Sequence, residues 1–434
     1  MLCLETAARE PEYFVIVQLA QLLVPHEVTV PDALVKKYED SKIKFLEDYY
    51  KADQETNALV FSSDITLPAG QFHIASQKIE YRDPDDTSDL DPLQPDRYNG
   101  ISKSGFLRFG HLPAEAHCFD PDMMSELEVD IAILGAPFDT GISYKPRARF
   151  GPDAIRQGTK KYSTVFSPYK EGFNPWNSWA KSVDCGNVPM TPLDNRVALD
   201  QLFRSERSLM NHTTTKTNPG KYSRFLALGG DHTVTYSGIR AAFEKYGKVS
   251  VLHFDAHLDT VDPYYMNPNV TDYAALNRGT YLYWAQRKGW TAENNSHAGL
   301  RGWDENRGHP TRDYTESKFS KIMARDIDKI DGIIEKIKKQ LGDCPVYISF
   351  DIDVVDLASA PATGSIEAGG WSSREILSII DGLAGINLVG ADIAEVSPWG
   401  DLTNDVASNN AGEAGRAILG LMVIKPVICD LMAN

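Results

Sequence analysis

Basic residues are scarce in this sequence relative to acidic ones, and the imbalance limits which partners the protein can bind. The 434 residues include 44 Lys or Arg and 60 Asp or Glu, so the net charge is −16. Nucleic acids and anionic membrane surfaces are recognised through basic faces. We therefore expect neither a nucleic-acid partner nor a membrane partner. The acidity is compatible with a small cationic substrate, although an ordinary acidic surface explains the charge more simply.

Cysteine is also sparse, and no hydrophobic run is long enough to span a membrane. The five cysteines are scattered without any C-x-x-C pair, at Cys3, Cys118, Cys185, Cys344 and Cys429. An odd and low count argues against a disulfide-stapled scaffold and favours a reducing compartment. The apolar run at 13–24 is interrupted by glutamines and follows acidic residues, which is unlike a membrane span or a signal peptide. We expect an amphipathic helix there and a cytoplasmic protein, with mitochondrial and secreted locations as alternatives.

The first 125 residues differ in pattern from the rest of the chain. Residues 31–54 have apolar side chains at helical spacing after Pro31 and are predicted to form a helix. Residues 80–96 are rich in Asp and Pro, which is typical of a linker. We therefore divide the chain into an N-terminal extension, 1–125, and a main domain, 126–434.

Strand-like and helix-like stretches alternate in the main domain. The predicted strands are 129–134, 224–228, 249–254, 345–350 and 386–392, and the predicted helices are 233–245, 326–340, 372–384 and 405–422. This alternation predicts an α/β fold of three layers, α-β-α, around a mainly parallel sheet. The strands are apolar almost throughout, as expected of strands that are buried on both faces. Ligands of such sheets bind beyond the carboxyl ends of the strands.

Four of the predicted strands are followed directly by acids and histidines. The segments are 229–233 (GGDHT), 255–259 (DAHLD), 351–353 (DID) and 394–398 (AEVSP). Residues i and i+2 of an extended segment point the same way. The side chains predicted to converge for this reason are Asp255, His257 and Asp259 in one segment and Asp351 and Asp353 in another. A single D-x-D motif is weak evidence, whereas this combination at one sheet edge is specific.

The crowding of these side chains predicts a metal centre. Four carboxylates at one edge repel one another unless cations neutralise them. Carboxylate oxygens combined with two imidazoles and no cysteine favour hard divalent ions such as Mn²⁺. The candidate metal ligands are His232, Asp255, His257, Asp259, Asp351 and Asp353. By contrast, His253 and His297 are predicted to be packed, structural histidines.

With these motifs, the chain resembles the ureohydrolase family of arginases, agmatinases and guanidinobutyrases. The resemblance covers roughly residues 128–425 and extends to the blocks 134–139 (LGAPFD), 148–152 (ARFGP) and 369–371 (GGW). It implies an arginase-like fold with two Mn²⁺ per subunit. It also implies a homo-oligomer, a trimer or a hexamer.

The resemblance assigns roles to individual residues. It pairs His232 and Asp259 on one Mn²⁺ and His257 and Asp353 on the other, with Asp255 and Asp351 shared between them. It implies hydrolysis at the guanidino carbon, for which two metal ions make hydroxide available near neutral pH. Glu395 would hold the planar guanidinium of the substrate by a charge-assisted pair. Asp259 would pass a proton to the leaving amine as urea is released.

Several residues depart from the family pattern. Arg278 stands where the family has a histidine beside the substrate, and arginine cannot act as an acid or base near neutral pH. Pointed inward, it would also repel a cationic guanidine. Arg147 replaces a usual glycine, Leu357 replaces a usual proline, and Ala362 is more typical of arginases. The stretch 401–411 lacks the pair of threonines that usually precedes the last helix.

Three functional hypotheses follow. The first is hydrolysis of a small guanidino compound of the agmatine or guanidinobutyrate type, because 277–284 resembles that branch and carries the bulky Tyr281, Tyr283 and Trp284. The second is a metal-binding paralogue of low activity that acts as a regulatory or partner subunit, which Arg278 favours. The third is a hydrolase for a substrate whose anionic group pairs with Arg278.

Overall fold

The computed structural model describes residues 59–61, 65–67, 107–115, 117–120, 125–142, 144–161, 174–218, 222–266, 268–302, 318–326, 330–400 and 405–424. The chain divides into two compact units, Met1–Asp83 and Pro84–Asn434. Two antiparallel strands, β1 (Leu59–Phe61) and β2 (Ile65–Leu67), are described in the first unit. The helices predicted at 13–24 and 31–54 and the linker predicted at 80–96 lie outside the described residues.

The second unit is built on an eight-stranded sheet. Its strands are β3 (Ile131–Ala136), β4 (Ser182–Asn187), β5 (Arg224–Gly229), β6 (Ser250–Phe254), β7 (Asn295–Leu300), β8 (Phe319–Met323), β9 (Val346–Asp351) and β10 (Leu388–Ala394). Their spatial order is β4-β3-β5-β10-β9-β6-β7-β8, and every neighbouring pair is parallel. The predicted α/β fold with a parallel sheet is confirmed.

Helices cover both faces of this sheet. They are α1 (Gly151–Gly158), α2 (Asn195–Leu209), α3 (Thr235–Tyr246), α4 (Pro263–Met266), α5 (Asp272–Ala275), α6 (Tyr281–Arg287), α7 (Ile330–Leu341), α8 (Ser373–Gly382) and α9 (Val406–Val423). One buried apolar cluster joins α7, α8 and α9 to strand residues such as Leu226. The other joins α2, α3 and α6 to the alternate residues, such as Phe225 and Ala227. Because successive side chains of a strand point to opposite faces, the helices form the two outer layers of the predicted α-β-α arrangement.

Three strands of the sheet escaped sequence prediction because their buried side chains include polar ones. In β4, Asp184 is fully buried and pairs with the equally buried Arg156 at 2.9 Å. In β7, the side chain of Asn295 accepts a hydrogen bond from Val251 N at 2.8 Å. Strand β8 lies at the sheet edge, beside β7 alone. Satisfied polar groups therefore conceal the apolar pattern that identified the five central strands.

The segment before residue 125 contributes to the core of the second unit. Phe109 and Leu112 are buried among the apolar residues that α9 also contacts. The backbone N of Phe109 donates to Asp184 Oδ2 at 2.7 Å. The proposed boundary at residue 125 stays a prediction.

A disulfide joins Cys118 to Cys185, with their Cα atoms 5.7 Å apart. The spacing of the cysteines gave no indication of this pair, and the argument against a disulfide-stapled scaffold did not anticipate it. Among the described helices, none combines the length and the apolar character that crossing a membrane requires.

Arg147 adopts a backbone conformation that suits glycine. Its φ is +121°, and its side chain is exposed. Such a conformation costs a non-glycine residue about 1–3 kcal/mol. We expect Arg147→Gly to raise the free energy of unfolding by about 1 kcal/mol in a denaturant titration, after the entropy cost of glycine is subtracted. Arg147→Ala keeps the strain and should give no gain, so an equal gain in both variants would contradict this explanation.

Candidate metal centre

The predicted ligands follow β5, β6 and β9, and Glu395 follows β10; these four strands are neighbours in the middle of the sheet. After β5, a Cβ on Gly230 would lie 1.8 Å from the carbonyl oxygen of Phe138, so only glycine fits there. Asp231 then caps a helical turn, His232–Val234, by accepting a hydrogen bond from Thr233 N at 2.9 Å. This turn fixes His232 at the carboxyl edge of the sheet.

Two short turns bring the carboxylates after β6 and β9 to the same edge. Asp255 Oδ1 accepts from His257 N at 2.6 Å, and Asp351 Oδ1 accepts from Asp353 N at 2.7 Å. Aspartate side chains stabilise such turns by bonding the backbone two residues further on. The expectation of extended segments was therefore wrong, because β6 ends at Phe254 and Asp353 lies in a helical turn. The predicted convergence of the side chains nevertheless occurs.

The carboxylates of three predicted ligands surround one ring nitrogen of a fourth, His232. Its Nδ1 lies 3.1 Å from Asp255 Oδ2, 3.1 Å from Asp259 Oδ2 and 3.4 Å from Asp351 Oδ2. All four side chains are buried or nearly so, and Asp259 is the most accessible of them. We call this set the His232 group.

The remaining two predicted ligands form a second set with Asp255. His257 Nδ1 lies 3.2 Å from Asp255 Oδ1 and 3.0 Å from Asp353 Oδ2. We call this set the His257 group. Asp255 belongs to both groups and directs one carboxylate oxygen into each. All six predicted ligands are thus brought together in two groups that share a carboxylate.

The donor atoms of these groups fit cations. Four buried atoms in these groups and the adjoining His253 form no well-aligned hydrogen bond, although each lies 3.0–3.1 Å from another ionisable group; they are His232 Nδ1, His253 Nε2, Asp255 Oδ2 and Asp353 Oδ2. Leaving a polar atom buried and unsatisfied costs free energy, more so when it is charged. The carboxylate oxygens and imidazole nitrogens suit divalent metal ions, and sets of three or more such atoms lie within 4.8 Å of one another. The two groups are therefore candidate sites for two metal ions.

The pKa values of these side chains show that the carboxylates are crowded and repel one another. Burial raises the pKa of Asp351 well above its usual range, and the charges of Asp353 and Asp255 raise it further. Burial would raise the pKa of Asp255 as well, but the three neighbouring histidines together hold it well below its usual range. The pKa of His257 is raised by Asp353 and Asp255 despite its burial. A bound cation would relieve the repulsion and displace the protons that the groups retain.

A hydrogen-bonded chain behind His232 holds its ring in place, and sequence reasoning missed it. His232 Nε2 hydrogen-bonds with Ser349 Oγ at 2.7 Å, and Ser349 Oγ donates to Asp392 Oδ1 at 3.0 Å. The hydroxyl of Tyr281 also lies 3.1 Å from His232 Nε2. Tyr281 is fully buried, so the expectation that its bulk limits the substrate was wrong.

His253 is closer to the metal centre than predicted. Its Nε2 lies 3.0 Å from Asp255 Oδ2, and its Nδ1 is 2.9 Å from His297 Nδ1. His297 stacks on Phe319 with ring centroids 4.1 Å apart. His297 is thus a packed histidine as expected, whereas His253 also offers a nitrogen to the His232 group.

Glu395 follows β10 and points a carboxylate at the same edge. Its Oε1 accepts from His232 N at 2.9 Å, while its Oε2 is buried without a hydrogen-bond partner. Burial raises the pKa of Glu395 to about 8, although the nearby Arg278 lowers it. An unsatisfied buried carboxylate oxygen is well suited to a cationic planar group.

Asp259 and Glu395 share an uncommon backbone conformation. Their φ angles are +52° and +62°, in the left-handed region that non-glycine residues rarely occupy. Such strain is concentrated at functional sites, where the surrounding structure enforces it. The two residues predicted to act on the substrate are therefore the two that the fold holds in this way at the metal centre.

Comparison with known proteins agrees with this arrangement. Residues 129–420 match the model of the arginase family. The chain belongs to the arginase family. It is 40% identical to putative agmatinase 1 of Schizosaccharomyces pombe over 337 residues, which are 75% of this chain and 84% of the relative. It is 34% identical over 303 residues to the agmatinase of Chromobacterium violaceum, covering 69% of this chain and 85% of that protein.

A solved structure extends the similarity to the fold. The proclavaminate amidino hydrolase from Streptomyces clavuligerus superposes with a TM-score of 0.64 at 29% identity, over 74% of this chain and 98% of that chain. The predicted resemblance to the ureohydrolases and the arginase-like fold are confirmed. The binuclear metal-site residues of the arginase family are present in this member.

Arg278, the residue predicted to replace a family histidine, contacts the loop of Ser365. Its Nη1 donates to Ser365 Oγ at 2.8 Å. Burial lowers the pKa of Arg278, but the charges of Glu395 and of Asp259 outweigh this and raise it. The arginine therefore faces the metal-centre carboxylates as a permanent cation.

Arg301 connects the turn that carries Asp353, a member of the His257 group, to two neighbouring segments. Its guanidinium donates to the carbonyl oxygens of Asp353 and of Glu367, the latter at 3.0 Å from Nη2. Longer contacts of 3.3 Å and 3.4 Å join it to Gly299 O and Val354 O. One side chain thereby holds the end of β7, the turn after β9 and the loop of Glu367.

Removal of this clamp is expected to weaken metal binding. Arg301→Ala leaves the backbone around Asp353 without its donors, so the carboxylate is no longer fixed. We expect the affinity for Mn²⁺ to fall about 10- to 100-fold, as is usual when groups that orient metal ligands are lost. Calorimetric titration with Mn²⁺ measures the change. Arg207→Ala, an exposed arginine at the end of α2, should bind Mn²⁺ normally, and equal affinity in both variants would contradict the role of Arg301.

Proposed function

We propose that this arginase-family member is a Mn²⁺-dependent hydrolase that releases urea from a small guanidino compound of the agmatine or guanidinobutyrate type. The observation that carries the proposal is that the two donor groups share Asp255. Beside them lies Glu395, whose Oε2 is buried without a hydrogen-bond partner. A site for two metal ions next to a site for a planar cation is what guanidine hydrolysis requires. The agmatinases among the relatives give further support.

The two groups would each hold one Mn²⁺, with Asp255 shared. When bound, two such ions supply hydroxide near neutral pH and stabilise the charge that develops on the carbon under attack. Ser349 and Asp392 keep the ring of His232 oriented with Nδ1 toward the carboxylates. The protein thereby presents its donors already arranged, and little reorganisation is needed during the reaction.

Glu395 and Asp259 would act on the substrate. The guanidinium binds to Glu395 Oε2, where one charge-assisted hydrogen bond fixes its plane and a second is possible through Oε1. Asp259 is the most accessible carboxylate of the His232 group. Its Oδ2 would pass a proton to the nitrogen of the departing amine. Urea and a neutral amine are then released, and the amine is protonated afterwards in water.

An assay of urea release tests the proposal. The protein is loaded with Mn²⁺ and supplied with agmatine, 4-guanidinobutyrate, 3-guanidinopropionate, arginine or free guanidine. We expect urea from at least one of the first three, two equivalents of bound Mn²⁺ per chain, and loss of activity after chelation. Absence of urea from every compound together with absence of bound metal would refute the proposal.

A second candidate is a metal-binding paralogue of low activity that serves as a regulatory or partner subunit. Arg278 favours it, because an arginine that remains protonated cannot replace a histidine in proton transfer. A positioned acid–base group contributes about 10²–10⁴-fold in rate. If Arg278→His gains activity on that scale while the native chain releases almost no urea, the second candidate is correct. A homo-oligomer stays a prediction under either candidate.

A further inference from the structure

Arg278 is fixed between two loops that border the metal centre. Its backbone N donates to the carbonyl oxygen of Gly141 at 3.4 Å. At the other end, its Nη1 donates to the hydroxyl of Ser365 at 2.8 Å. A long side chain that is held at both ends has a defined position, so its charge acts at one place in the site.

That place is next to the carboxylate of Glu395. Gly364 precedes Ser365, and a Cβ on Gly364 would lie 2.8 Å from Glu395 Oε2. One loop therefore borders both groups, because Gly364 lies against Glu395 Oε2 and the next residue, Ser365, accepts from Arg278. A compound whose guanidinium binds to Glu395 would have the guanidinium of Arg278 as a neighbour.

Arg278 is a permanent cation, because a guanidinium does not lose its proton near neutral pH. A second cation on the substrate would therefore meet a fixed like charge in a largely buried setting, where repulsion is strong. A carboxylate on the substrate would instead form a charge-assisted, bidentate pair.

Building on the proposed hydrolysis, we infer that Arg278 selects guanidino substrates whose far end is a carboxylate over those whose far end is an amine. The substrate class is a short guanidino carboxylic acid. Glu395 binds the guanidinium, and Arg278 binds the carboxylate. The proximity of these two residues favours a short chain between the two charged ends.

Two compounds of nearly equal length test this selectivity. 4-Guanidinobutyrate and agmatine share the guanidine and differ in the charge of the far end. We expect kcat/KM to favour 4-guanidinobutyrate in the native protein. In Arg278→Met, which keeps the length and loses the charge, the ratio of the two kcat/KM values should fall about 10- to 100-fold, the value of one charge-assisted contact.

Two further variants make the comparison specific. Arg278→Lys keeps the charge without the planar fork and should give an intermediate ratio. Lys145→Met removes an exposed cation from a neighbouring loop and should leave the ratio unchanged. An equal effect of Lys145→Met would mean that the overall positive charge near the site, and not Arg278 in particular, sets the preference for a carboxylate.

Binding gives a readout that does not depend on turnover. Calorimetric titration of chelator-treated protein with each compound should show the same change in relative affinity between native protein and Arg278→Met. If urea is released but neither ratio responds to Arg278→Met, the inference is wrong and the proposed function stands. If no variant releases urea with Mn²⁺ bound, the proposed function is wrong, and the binding ratio alone decides whether Arg278 recognises a carboxylate.

Discussion

Replacement of Asp255 by Asn is expected to lower the rate of urea release by at least about 10³-fold, because it removes the one charge that both donor groups use. Asp255 directs Oδ2 toward His232 and Oδ1 toward His257. Each metal ion contributes several kcal/mol of transition-state stabilisation, and every 1.36 kcal/mol is about tenfold in rate. Asparagine retains the shape of the side chain and one of its oxygens, so the loss of rate measures the contribution of the negative charge.

The measurement pairs steady-state kinetics with metal analysis. We expect Asp255→Asn to hold fewer than two equivalents of Mn²⁺ per chain and to keep a native circular dichroism spectrum. Asp343→Asn is the matched control, because Asp343 is exposed and precedes β9 at the opposite edge of the sheet. Full activity with two bound Mn²⁺ in Asp255→Asn would show that the shared carboxylate is not what organises the centre.

The sequence was sufficient to predict that these six side chains converge, because they follow apolar strands of the sheet centre. Strands β5, β6 and β9 are apolar throughout or nearly so, and parallel strands end at a common edge. That rule brought His232, Asp255 and Asp351 together without any knowledge of the turns between them. The turns themselves were predicted wrongly, because the hydrogen bond from His257 N to Asp255 depends on side-chain geometry and not on periodicity.

Residues that support the ligands were much harder to predict. Ser349 and Asp392 lie inside strands, where a polar residue resembles an interruption of the apolar pattern. Arg301 acts through backbone carbonyls of segments distant in the sequence, such as that of Glu367. Tyr281 looked like part of a substrate loop, but tertiary packing turns its hydroxyl toward His232. Such contacts depend on the assembled fold, whereas the family resemblance concerned residues within sequence motifs, such as Arg278.

A second large effect is expected on thermal stability. Binding of Mn²⁺ should raise the melting temperature by roughly 5–10 °C at a free concentration of about 100 to 1,000 times the dissociation constant. The physical reason is that buried ligand oxygens such as Asp353 Oδ2 form no well-aligned hydrogen bond in the protein alone and are repelled by neighbouring carboxylates such as Asp255. A cation satisfies them only in the folded state, so its binding free energy adds to the stability of that state.

The size of this effect should increase with pH. Burial raises the pKa of Asp351 above 3.8 and that of Glu395 to about 8. A carboxyl whose folded pKa is raised stabilises the metal-free protein below its unfolded pKa, and this contribution is lost as pH rises through the folded value. The metal-free protein should therefore melt at a lower temperature near pH 8 than near pH 6, while Mn²⁺ compensates the deprotonated groups. Scanning calorimetry with and without Mn²⁺ at both pH values measures the difference, and Asp255→Asn should show a smaller increase. A shift that is equal at the two pH values, or absent at both, would contradict a centre of crowded carboxylates neutralised by metal ions.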